Sequence, residues 1–418
     1  MKFFTTLRAA ALCALLLSNS TVARPVGSDG KVVIAYWADW TGTSVSSIDF
    51  SKITHVLYAF STMNSSLLPT TPGGLSSFVS TVHGANTKAL LSIGGWTSSG
   101  FFSTVAATAT ARRNFANAVQ KIISQNNLDG IDLDWEYPGE AGACGNIVSA
   151  HDSANYLLLL QAIRKAVGNK LITGATATHP FVGTDGKPLA DVSKFARYFD
   201  WINLMAFDLG GTSGLDTAPN TPLREGKNGG SPANVVQAVK DWSAAGFPYS
   251  KLSMANNDPS DQYVPVKGGS TNHTCEGGGF SSTQTWKAIR SSALSGPTTA
   301  AAGWIRKFDP CTQTPWLFNT STLEYISRKR VKKKYIPFLT VVLLLKRYDD
   351  PQSLQVKVNY AGCMGLKGMM LWEISDDNGE LLPVLDSIKN VKTGTKCLPS
   401  TGGPTSSSST PRTSNVKL

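Results

Sequence analysis

The chain has 418 residues, 41% of them hydrophobic and 16% charged, which is ample for a large core and fits one large domain plus an insertion or tails. Its net charge of +11 would ordinarily point to an anionic partner, but one run, Arg328–Arg347, carries eight positive charges and no acids. Without that run the charge would be only +3, so no nucleic-acid partner is expected. The N-terminus places Lys2 and Arg8 around a short apolar stretch, Ala9 to Leu17, with Thr21-Val22-Ala23 as a cleavage site before Arg24. This pattern predicts a secretory signal peptide over 1–23 and a secreted, extracellular protein. The apolar stretch is shorter than the roughly 20 residues that a membrane span needs. Secretion makes Asn64, Asn272 and Asn319 candidate glycan sites. Cys13 leaves with the signal. Cys144, Cys275, Cys311, Cys363 and Cys397 remain, an odd count that leaves one thiol over. Cys275–Cys311 is the preferred pair, since both lie in one loop-rich region.

In chain order, Val32–Trp37, Thr54–Phe60, Ala89–Ile93, Gly130–Asp134, Leu171–Thr176, Trp201–Ala206, Leu252–Ala255 and Gly368–Trp372 read as strands. Between them, Thr110–Gln125 carries Phe115, Ala118, Val119, Ile122 and Ile123 at helical spacing. Ser153–Val167 does the same with Tyr156, Leu157, Leu160, Ile163 and Val167, and Ala233–Ala245 with Val235, Val236, Val239 and Trp242. Strand and helix alternating about eight times predicts an α/β fold, a parallel sheet closed into a (β/α)₈ TIM barrel. An open doubly wound sheet is the alternative; no Gly-x-Gly-x-x-Gly follows a strand to support its dinucleotide-binding form. The catalytic domain is expected over 29–395. Residues 256–365 are too long for one barrel connection and read as an insertion between strands seven and eight. Residues 398–418, rich in Ser, Thr, Pro and Gly, read as a disordered tail.

The chemistry concentrates in Asp129-Gly130-Ile131-Asp132-Leu133-Asp134-Trp135-Glu136-Tyr137-Pro138. Side chains alternate faces along a strand, so Asp132, Asp134 and Glu136 lie in a row on one face, with Ile131, Leu133 and Trp135 on the other. Neighbouring carboxylates cannot all ionise cheaply, so at least one pKa must rise, as a general acid near neutral pH requires. The competing reading is a solvated acidic strand or a cation site. An EF-hand is disfavoured, because Tyr137 stands where that loop needs Gly. No metal-ligand cluster is evident, no cofactor is expected, and His179-Pro180 reads as structural or groove-lining.

In a barrel the catalytic groups sit at the C-terminal strand ends. Those ends carry Tyr36-Trp37, Tyr58-Ala59-Phe60, Ser92-Ile93-Gly94-Gly95-Trp96, Met205-Ala206-Phe207-Asp208 and Trp372-Glu373. Aromatics there suit the apolar faces of sugar rings, and acids suit their hydroxyls. One aromatic alone is more readily core than contact; several at successive ends shift that balance.

These residues resemble a family. The Asp129–Glu136 stretch is similar to the Asp-Gly-x-Asp-x-Asp-x-Glu signature of family 18 glycoside hydrolases, the chitinases, and Ser92-Ile93-Gly94-Gly95 is similar to their Ser-x-Gly-Gly segment. The resemblance runs from about Lys31 to Ile388 and looks closest to secreted fungal chitinases. It implies hydrolysis of chitin or chito-oligosaccharides by a monomer without a cofactor. Glu136 would be the general acid. Asp134 would orient the substrate's own acetamido group, whose oxygen attacks the anomeric carbon, and Asp132 would share a proton with Asp134. Trp372 would floor the site. Tyr36, Phe60, Gly95, Trp96, Tyr137, Met205, Phe207 and Asp208 would line it.

Three departures stand out. Phe207 replaces the Tyr of the family's Met-x-Tyr-Asp segment, removing a hydroxyl donor to the acetamido carbonyl. Strand seven passes from Ala255 into Asn256-Asn257-Asp258-Pro259 without the family's Gly-x-Pro-x-Tyr-Gly-like run. Residues 328–347 interrupt otherwise continuous similarity and read as translated intron, since joining Ser327 to Tyr348 restores the family's pattern. The alternatives to an endo-acting chitinase are a non-catalytic chitin-binding lectin on the same fold and an endoglycosidase acting on N-glycan cores.

Overall fold

A computed structural model describes residues 30–209, 219–226, 233–257, 260–263, 280–319, 325–326, 345–346 and 348–398. The expected signal peptide, Asn272, Cys275, nearly all of 328–347 and the expected tail beyond Leu398 lie outside the described residues.

Eight parallel strands close a barrel in which each is bonded to the next and the eighth returns to the first. Strand one is Val32–Ala38, strand two His55–Ser61, strand three Lys88–Gly94 and strand four Gly130–Asp134. Strand five is Leu171–Thr176, strand six Trp201–Leu204, strand seven Leu252–Asn257 and strand eight Gly368–Trp372. Strand seven runs two residues past its expected end at Ala255 and pairs with strand eight as far as Asn257.

Alternation along these strands builds two apolar layers. Val33, Val56, Leu91, Ile131, Leu133, Ile172, Ile202, Leu204 and Met369 point outward into a large core shared with the helices. Val32, Ile34, Tyr36, Leu57, Ala59, Leu90, Trp201, Ala255 and Met370 point inward and fill the barrel. Strands buried on both faces read as nearly continuous apolar runs, which is why they were legible without strict alternation. The helices bury the faces that their spacing implies. Ala109–Asn126 buries Phe115, Val119, Ile122 and Ile123, with Ala116 in place of the expected Ala118, and the Thr108 hydroxyl caps it by accepting from Ala111 N–H. Asp152–Val167 buries Leu159 rather than the expected Leu157. Val235–Ala244 is capped by the Asn234 side chain.

Between strands seven and eight lie small antiparallel sheets, among them the hairpin Trp304–Asp309 with Thr314–Asn319. The barrel pattern resumes with helix Pro351–Cys363. Arg306 of the hairpin donates to Asp350 Oδ2, which lies at the N-cap of that helix. Two turns on, fully buried Lys357 pairs with Asp349. These contacts tie the insertion to the barrel wall.

The preferred Cys275–Cys311 pairing does not form: Cys311 is a free thiol. It sits in the hairpin turn, where its N–H donates to Asp309 Oδ1 at 2.7 Å. Shared residence in a loop-rich region does not by itself set the geometry that a disulfide requires. The bridge Cys363–Cys397 instead joins the end of helix Pro351–Cys363 to the segment after the last helical turn, and Cys144 is also disulfide-bonded. Among the described residues, no helix is long and apolar enough to cross a membrane and no group of three or more His, Cys, Asp or Glu is placed to hold a metal.

Candidate active site

Strand four carries Asp132 and Asp134 inward, and Glu136 follows just past its end; all three are buried. Asp132 is fully enclosed and saturated. Its Oδ2 accepts from Tyr36 at 2.7 Å and Ser92 at 2.8 Å, and its Oδ1 accepts from Thr173. Burial raises its pKa, and these three hydroxyls oppose the rise. Asp134 is different, because its Oδ1 has no partner. Burial, then the charges of Glu136 and Asp132, push its pKa well above the usual carboxylate range. Glu136 is pushed up to about 7, chiefly by burial; a hydrogen bond from Tyr137 opposes the rise and the charge of Asp208 adds to it. The row therefore binds protons more readily than exposed carboxylates would, and Glu136, ionising near neutral pH, is the member poised to give one up there.

Strand three and its loop hold this row in place. Gly94 and Gly95 adopt φ of 111° and 88°. A Cβ on Gly94 would stand 2.2 Å from the Asp134 carbonyl, and Gly95 N–H donates to that same carbonyl at 2.8 Å. Only glycine allows this approach. Ser99 adds a second clamp: its hydroxyl donates to the Asp134 carbonyl and accepts from Glu136 N–H, each at 3.0 Å. Asn146 Nδ2 donates to the Glu136 carbonyl at 3.0 Å.

The opposite side of the mouth is aromatic. Trp372 stacks on Phe60, with centroids 5.5 Å apart and planes 19° apart, and meets Tyr36 edge-on at 5.3 Å. Exposed Trp40 lies 5.9 Å from Phe60 and 6.4 Å from Trp372. Trp96, also exposed, approaches Tyr137 at 6.5 Å. The peptides Ala59–Phe60, Glu136–Tyr137 and Trp372–Glu373 are cis.

Strand six leads into Met205 and Phe207, both half-buried, and Phe207 packs against the barrel interior with Phe60 and Trp372. Asp208 follows at φ 56°, its N–H donating to Asn220 Oδ1 at 3.0 Å. Beside Tyr137, a small cleft is lined by Glu140 and His179, whose Oε1 and Nε2 are 3.5 Å apart.

The structure thus brings Asp132, Asp134, Glu136 and Tyr137 together, and gathers Tyr36, Phe60 and Trp372 into one platform. Gly95 and Trp96 border the acidic row, Phe207 packs against the inner apolar cluster of the barrel, and Asp208 acts on Glu136 through its charge. Met205 is anchored by its N–H to the Thr176 carbonyl. Trp37 and Tyr58, noted at strand ends, face outward and pack with Phe78 in the helix layer. Sequence reasoning missed Trp40, Ser99, Thr173 and Asn146. Trp40 carried a signal, an aromatic three residues beyond Trp37. The other three are small polar residues that only tertiary contact singles out.

Comparison with known proteins adds a lineage. The family model Glycosyl hydrolases family 18 matches residues 32–377. A chitinase-like effector of Moniliophthora roreri is 28% identical over 421 aligned residues, 90% of this chain and 96% of that protein. Chitinase A1 of Niallia circulans is 32% identical over 326 residues, 71% of this chain and 42% of that protein. The crystal structure of a chitinase from Rhizomucor miehei superposes with a TM-score of 0.73 at 27% identity, covering 86% of this chain and 100% of that one.

Proposed function

The chain belongs to glycosyl hydrolase family 18, and from that premise we propose that it is a secreted chitinase cutting internal β-1,4-N-acetylglucosamine linkages with retention. One observation carries this reading: Glu136, its ionisation raised to about 7, stands two residues from Asp134, whose Oδ1 is buried and unpartnered. An orphaned buried carboxylate oxygen is costly unless a ligand completes it. The substrate's acetamido N–H is such a ligand.

In this mechanism Glu136 gives its proton to the glycosidic oxygen as the bond from that oxygen to the anomeric carbon breaks. The acetamido oxygen, turned toward the anomeric carbon by Asp134, forms the new bond from the opposite face. Asp134 balances the positive charge of the oxazolinium ring, and Asp132 buffers Asp134's proton. Water then attacks the anomeric carbon from the side the leaving group vacated. It yields its proton to Glu136, and the ring reopens with configuration retained. Tyr36, Phe60 and Trp372 offer a surface for the sugar's apolar face.

The test is release of reducing ends from soluble chito-oligosaccharides, lost in Glu136→Gln. A wild type that binds them and releases none sinks the enzyme reading. That outcome would favour a non-catalytic chitin-binding protein, a reading motivated by Phe207, which offers no hydroxyl to the acetamido carbonyl. The proposal includes cleavage after Ala23 and a mature protein lacking 328–347. A transcript encoding 328–347 in frame in the expressed message would overturn the latter.

A further inference from the structure

Among the described residues, eight large apolar side chains stand exposed. Four of them, Trp96, Phe101, Ile147 and Val148, lie on the two loops that follow strands three and four. Single exposed apolar residues need no explanation; several brought together do. Here the backbone brings them together. Ile147 N–H donates to the Gly100 carbonyl at 3.3 Å, which joins the Phe101 and Ile147 segments directly. Asn146, next to Ile147, donates through Nδ2 to the Trp96 carbonyl at 3.4 Å and to the Glu136 carbonyl at 3.0 Å. The patch is therefore stapled to the backbone of the acid itself and lies on the mouth side of the barrel. Its second loop is further tied by the disulfide of Cys144.

Its chemistry is as telling as its place. From Trp96 to Ala111, and again from Ala141 to Ala150, there is no Asp, Glu, Lys, Arg or His. In a chain of net charge +11, two adjoining loops of apolar and hydroxyl side chains offer nothing to an anion. They match a neutral surface that presents C–H faces and methyl groups beside hydroxyls. An array of N-acetylglucosamine chains is such a surface, and it would lie continuous with the cleft through Trp96.

We propose that Phe101, Ile147 and Val148 form a docking ledge for the surface of insoluble chitin, outside the cleft that holds the reacting sugars. This rests on the chitinase reading and deepens it: the ledge selects polymer packed in a solid over short soluble chains. A rigid ledge loses little freedom on docking, so modest apolar contact suffices.

The experiment compares the full chain with a triple variant, Phe101→Ser, Ile147→Ser and Val148→Thr, and with Leu158→Ser as a control, since Leu158 is exposed to a similar degree (42%) on an outer helix. Binding to insoluble chitin should fall roughly tenfold in the triple variant, from the lost apolar contact area, and stay unchanged in the control. Turnover of soluble chitotetraose should be the same in all three, which also reports that the variant folds. Equal binding of wild type and triple variant to insoluble chitin overturns the ledge. So does a wild type that self-associates on gel filtration while the variant is monomeric and binds chitin equally well, which would make the patch a contact between copies. A wild type inactive on chitotetraose refutes the enzyme reading alone, because binding to the solid still decides the ledge.

Discussion

On strands three to five the mouth of the barrel is built from directional contacts. Three hydroxyls saturate Asp132, a glycine pair and Ser99 grip the Asp134 carbonyl, and Tyr137 bonds to Glu136. On strands one, two and eight it is built from packed rings, Phe60 stacked on Trp40 and Trp372 with Tyr36 edge-on to Trp372, and no hydrogen bond is needed between them. Strands six and seven lie between the two sides, and at the end of strand six the difference shows. Phe207 still packs against the inner apolar cluster of the barrel, because such packing does not depend on a hydroxyl. It leaves the acidic side without the donor that the family's tyrosine would supply. Apolar packing tolerates an exchange that directional chemistry feels.

The largest expected effect breaks the acidic side outright. Glu136→Gln should lower hydrolysis of chito-oligosaccharides by roughly 10²–10⁴, the range for loss of a general acid, while binding persists. Steady-state kinetics and calorimetry separate the two. The same variant should gain stability in a pH-dependent way. Folding raises the Glu136 pKa from 4.5 to about 7, so the folded state holds this proton more tightly than the unfolded chain does. The ionised carboxylate therefore destabilises the wild type increasingly as pH rises between those values. Melting temperatures of the two proteins should converge below about 4.5 and separate fully above about 7.

Restoring the missing donor sharpens the contrast from the other side. Phe207→Tyr should raise kcat by up to roughly 10², within the span one pre-organised donor is worth. An unchanged kcat would mean that the acetamido carbonyl does not pass near this ring. Trp372→Ala should act mainly on binding, raising KM roughly tenfold through lost stacking area. A fall in kcat with unchanged KM would contradict the platform role. The smallest effect is a shift. Asp208→Asn removes a charge that raises the Glu136 pKa, so the alkaline limb of the pH profile of kcat/KM should move to lower pH. A limb that stays in place would deny the coupling.

Much of this was legible in the residues. Strands four, five and eight run between the expected ends, since Gly130, Leu171 and Gly368 open apolar runs bounded by turns. The acidic row was legible because alternation on one strand is a local property. The platform was legible only as a set of candidates. Tyr36 and Trp37 are neighbours with the same chemistry, yet one faces the site and the other the helices, and the register of strand one with strands two and eight decides which. Ser99, Thr173 and Asn146 carried no mark, because a small polar side chain gains its meaning from what folding places beside it.

The sequence by itself determined a barrel of alternating strands and helices, the placing of three acids on one strand face, and the phenylalanine where a hydroxyl would serve. These follow from periodicity and residue chemistry, which act within a few residues. Tertiary structure alone decided that Asp132 is saturated while Asp134 keeps an open oxygen, that Glu136 holds its proton to about 7, and that Cys363 rather than Cys311 forms a bridge. Each of these depends on burial and on partners dozens of residues away, and closing the barrel is what brings those partners together.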